Sequence, residues 1–84
     1  MKVGVRNQSK DNMIYGVVLF HSTSLAIRAE RVCQRAGLAV KLIPTPRQLS
    51  SDCGTALRFQ WADRERMEAV LKEARVEIEG IHRI

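Results

Sequence analysis

Hydrophobic positions along the chain change their period in an order that predicts elements one after another. "MIYGVVLF" (Met13 to Phe20) is apolar on both alternations, as a central strand covered on both faces is. Leu25, Ala29, Val32, Cys33 and Ala36 then recur at helical spacing, with Ser22, Thr23 or Ser24 to cap the start and Gly37 to end it. "LAVKLI" (Leu38 to Ile43) reads as a second strand, stopped by Pro44 and Pro46. In "TALRFQW", Leu57, Phe59 and Trp61 alternate against Ala56, Arg58 and Gln60, the pattern of a half-buried strand. Asp63 can cap a second helix with apolar positions Met67, Val70, Leu71 and Ala74. "VEIEGIHRI" closes as a fourth strand, Val76 and Ile78 facing in and Glu77 and Glu79 facing out. Residues 1–12 are polar and without period, an N-terminal extension to a single domain expected over 13–84.

The order β-α-β-β-α-β predicts an α+β, ferredoxin-like fold: a four-stranded antiparallel sheet, order 4-1-3-2, with both helices on one face. Right-handed crossovers place the ends of the first and second strands on one edge of the sheet. His21, the start of the first helix and the loop before the third strand meet there.

Composition narrows the function classes. A chain of 84 residues buries only about 60–65% of its unfolded surface, enough for one sheet and two helices. There is no apolar run long enough to span a membrane, and "MKVGVRNQSKDN" lacks the apolar stretch of a signal peptide, so the expected compartment is the cytoplasm. Two cysteines do not make a disulfide framework, and in a reducing compartment an exposed thiol points to chemistry. A net charge of +5 favours anionic partners without naming one.

The two thiols have different settings. Cys33 stands on the apolar stripe of the first helix and reads as core. Cys53 stands in "TPRQLSSDCG", a polar loop that is expected to lie beside the unpaired N–H groups of a helix N-terminus, which favour negative charge. Arg47 in the same loop, and His21 when protonated, add positive charge, while Asp52 opposes them. Each has a plainer use: Ser50 and Ser51 make turns, Arg47 is an ordinary surface cation, and a histidine at a strand end is commonly structural.

"FHS" after the first strand, "PRQLSSDCG" between the middle strands and this spacing of elements resemble the putative selenium/sulfur carrier protein-like family. Pro46, Arg47, Ser50, Cys53 and Gly54 match its motif, and the likeness runs from Ile14 to Ile84. The resemblance implies thiol-dependent carriage of sulfur or selenium, with Cys53 bearing the persulfide or selenosulfide. Arg47, Ser50, Ser51 and His21 are then expected to stabilise the anion, and Gly54 to let a partner's backbone approach. The implied partners are donor and acceptor proteins; no metal, organic cofactor or membrane is expected. A carrier and a transferase use the same single cysteine, and both readings stand.

Rival classes are a regulatory or assembly module without chemistry and an RNA-binding sheet. Gly16, Val18 and Phe20 on one alternation suggest apolar surface that helices cover on one side only, hence a homodimer through the open sheet face. "TALRFQW" lacks the glycine and aromatic pattern of RNA-recognition domains, so nucleic acid is not among the expected partners. Cys33, Cys53, His21 and His82 have no metal-ligand spacing.

Overall fold

A computed structural model describes residues 14–49, 51 and 53–84. The chain runs β1 (Tyr15–Leu19), α1 (Thr23–Arg35), β2 (Val40–Pro44), β3 (Thr55–Gln60), a 3-10 turn (Trp61–Asp63), α2 (Arg64–Glu73) and β4 (Gly80–Arg83). The four strands form one sheet in the order β2-β3-β1-β4, the expected 4-1-3-2 read from the other edge. All neighbours are antiparallel, with Val18 opposite Leu57 in the central pair. The expectations for Met13, residues 1–12, Ser50 and Asp52 fall outside the described residues.

The strands turn alternate side chains to two faces. Val18 and Phe20 of the β1 alternation and Leu57 and Phe59 of β3 pack against Ala26, Ala29 and Cys33 of α1 and Met67 and Leu71 of α2. The opposite face is not left bare as expected: Val17 and Ala56 are fully buried there and Leu19 is 2% exposed, with Ile43 and Leu49 packed against them. Leu49 brings the polar loop with it. Gly16 serves close packing, because a Cβ there would lie 2.6 Å from Trp61 Cε3 and 2.7 Å from Phe59 Cζ.

Both helices stop by the same device. Gly37, with φ 82°, donates to the Gln34 carbonyl at 3.0 Å while Leu38 donates to Cys33 at 3.0 Å. Arg75, with φ 58°, donates to Lys72 at 3.0 Å while Val76 donates to Leu71 at 2.9 Å. In each, the residue beyond the left-handed position buries its side chain against the last turn. Two readings need correction. Asp63 precedes α2 but makes no capping hydrogen bond, because the 3-10 turn, not a side chain, starts that helix. The fourth strand begins only at Gly80: Val76 is buried as part of the helix stop, and pairing starts where the chain meets Leu19.

Candidate functional site

Ser22 caps α1, its hydroxyl accepting from the Leu25 N–H at 3.3 Å, and no acid occupies the first turn to offset the helix dipole. The hydroxyl of Thr23, the first helical residue, shares a hydrogen bond of 3.3 Å with the Cys53 thiol. The Thr55 N–H, at the first position of β3, donates to the same sulfur at 3.4 Å. Cys53 is therefore held between a helix start and a strand start.

The polypeptide around it is fastened on three sides. Thr45 continues the β2–β3 ladder, its N–H donating to the Gly54 carbonyl at 2.9 Å and its hydroxyl to the Cys53 carbonyl at 3.0 Å. Leu49 closes a tight turn by donating to the Pro46 carbonyl at 3.0 Å and packs on the sheet. Ser51 Oγ accepts from the Cys53 N–H at 3.2 Å. It also lies 3.1 Å from the Phe20 carbonyl and 2.7 Å from Glu79 Oε1. One hydroxyl proton serves one acceptor at a time, and the shorter contact to a carboxylate is the stronger.

Glu79 is the site residue that sequence reasoning missed. Expected to face out, it is half-buried, with its N–H donating to the Leu19 carbonyl at 2.6 Å and its carboxylate on Ser51. The alternation "VEIE" gave no sign of this, since a carboxylate drawn to a hydroxyl 28 residues away leaves no local pattern.

Of the expected residues, Cys53 and Ser51 are brought together. Cys53 is also only 5% exposed, contrary to the open thiol expected, with its sulfur lying between Thr23 at the helix start and Thr55 at the strand start. Arg47 is exposed on the turn, and among the described residues no hydrogen bond joins its guanidinium to Cys53. His21 is exposed at the β1–α1 junction. Gly54 is exposed, with nothing within 4 Å of where a Cβ would stand, so packing within this chain does not require glycine there.

Cys33 answers to its expected place. It is fully buried on α1 in the main core, and burial pushes its thiol from the ordinary 9.0 up to about 11. Among the described residues, no three histidine, cysteine or acidic side chains are grouped to hold a metal ion, and no helix is long and apolar enough to cross a membrane.

No curated protein and no solved structure matches the chain significantly. Residues 15–83, from the first strand through the last and including the Cys53 loop, match a single family description. On that match the chain belongs to the family described as putative Se/S carrier protein-like.

Proposed function

We propose that the protein carries sulfur or selenium on Cys53. The observation that carries the reading is the pair of groups on its sulfur, the Thr23 hydroxyl and the Thr55 N–H, at the start of a capped helix. Both can donate to an anionic sulfur, and the helix end adds positive potential. In the loading step the Cys53 thiolate attacks the terminal sulfur of a donor persulfide. The donor's S–S bond breaks, a new S–S bond forms on Sγ, and the donor cysteine leaves as a thiolate with the bonding electron pair. Nothing is oxidised or reduced overall. Attack by an acceptor thiolate on the same terminal atom reverses the sequence and restores Cys53. A selenium atom follows the same course.

Burial gives the loop a part in this. With Cys53 covered, loading requires the segment from Thr45 to Gly54 to lift, and Ser51 on Glu79 with Leu49 on the sheet sets how readily it does. The open space beside Gly54 suits a partner's backbone. Arg47, exposed on the turn, is assigned to the anionic donor. The test is intact mass after exposure to inorganic polysulfide or to glutathione selenopersulfide, made by reducing selenite with excess glutathione, followed by desalting. One added sulfur or selenium atom is expected on the wild type and on Cys33→Ser, and none on Cys53→Ser. Equal loading of Cys53→Ser and wild type removes the proposal.

A further inference from the structure

The sheet face turned away from the helices carries a second constellation, unrelated to the thiol. Lys41, Arg58, Val17 and His82 stand opposite one another in one row across β2, β3, β1 and β4. Three strand intervals of about 4.8 Å make the row about 14 Å long. Lys41 and His82 are exposed and Arg58 half-buried. The Arg58 guanidinium lies 4.4 Å from the centroid of the Tyr15 ring, and beside the pair opens a depression of about 250 Å³ lined by Lys41, Val40, Ala39 and Gln60 as well. None of the described acidic residues stands on any of the four strands; Glu30, Glu65, Glu68 and Glu73 ride on the helices instead.

We propose that this face binds single-stranded nucleic acid, with one base stacked on the Arg58–Tyr15 platform and the backbone running along the row from Lys41 to His82. A guanidinium held against an aromatic ring is a flat surface on which a base stacks. The depression is large enough to admit one base, and the Gln60 amide offers both a donor and an acceptor to a base edge. Lys41 on one edge strand adds a second cation beside Arg58, and His82 on the other edge adds a ring that can hydrogen-bond a phosphate, so the row extends beyond a single nucleotide, which favours a strand over a free nucleotide. An acidic peptide would meet the charge, but its carboxylates bring no aromatic ring to stack on the platform. Stacking groups on the two central strands are the arrangement of RNA-recognition sheets. An arginine on β3 takes the place of an aromatic, so the aromatic motif is absent from the sequence while the surface is present. Tyr15 and Leu19 are four residues apart on β1, so the platform lies about 13 Å along the sheet from the Cys53 end. The inference stands apart from the carrier reading.

Anisotropy of a short fluorescein-labelled single-stranded RNA of mixed sequence, titrated with the full chain at several salt concentrations, tests it. Arg58→Ala should weaken binding about five- to hundredfold, the loss of one stacked base. Arg58→Lys keeps the charge and should lose most of the same affinity. Lys41→Gln should weaken binding and reduce the slope of log K against log salt by about 0.7, one phosphate contact on a single strand. Lys72→Gln, the same charge loss on α2, should change neither. Circular dichroism checks each fold, and should Arg58→Ala unfold, the Arg58→Lys and Lys41→Gln pair decides. Absence of binding at low salt, wild-type affinity in Arg58→Lys, equal effects of Lys41→Gln and Lys72→Gln, or displacement by free adenosine monophosphate as effective as by the unlabelled strand would each overturn the proposal.

Discussion

At the scale of single residues the two thiols divide the labour. Cys33 is fully buried and Cys53 is 5% exposed, so static exposure barely separates them. Their places in the fold do: Cys53 stands in the connection between β2 and β3, whereas Cys33 stands on α1 inside the core. At a value of about 11, Cys33 is thiolate in only about one molecule in ten thousand at pH 7. Iodoacetamide should therefore label Cys53 at least about tenfold faster than Cys33 in the folded protein, read by peptide mass; equal rates would deny Cys53 its loop access. Cys33 also makes an alkaline prediction. Its folded value lies above its ordinary 9.0, so the native state holds a proton that the unfolded chain releases. Stability is then unaffected below about pH 9 and falls as pH rises towards 11, by about 2–3 kcal/mol in all. Urea midpoints measured across that window should drop in wild type and stay flatter in Cys33→Ala, which starts lower for its missing sulfur. Parallel curves would refute this account.

At the scale of elements, the parts legible in the sequence are those with a periodic or a local chemical signature. Ser22 stood among three candidate caps and Gly37 announced the end of α1, because both act through their own backbone neighbourhood. The end of α2 had no such sign: Arg75 occupies the left-handed position that glycine normally fills, held there by Val76 buried against Leu71. That same burial imitated strand alternation and drew the predicted fourth strand four residues too early, with Glu79 misplaced in consequence. The misplaced conformation is measurable. A Cβ at φ 58° costs about 1–2 kcal/mol that glycine does not. Arg75→Gly should accordingly raise stability by about 0.5–1 kcal/mol after glycine's greater unfolded-state entropy is subtracted, with an unchanged urea slope. A lower midpoint would mean that the arginine side chain contributes more than its backbone strain.

For the whole molecule, topology was readable because each strand and helix announced itself and crossover handedness left one arrangement; the β1–β3 antiparallel pairing follows. The character of the free sheet face was not, since it depends on which side chains become neighbours across strands and on Leu49 folding back from a loop. This bears on the expected homodimer through that face. Its apolar residues, Val17, Leu19 and Ala56, are already buried, and its outer row is Lys41, Arg58 and His82. A two-fold contact sets one patch against itself, so Lys41 of one copy would approach Arg58 of the other, and the reverse. At low ionic strength their repulsion reaches over tens of ångströms, and at 1 M salt the screening length falls to about 3 Å. Self-association through the sheet is thus expected to be absent at low salt and to strengthen as salt rises, and Lys41→Glu should relieve the salt requirement by giving Arg58 an opposite charge across the interface. Sedimentation velocity at low and high salt reads both. A dimer that is firm at low salt and indifferent to Lys41→Glu would have to be built elsewhere, on the helices or an edge strand, and the sheet face would then have no part in assembly.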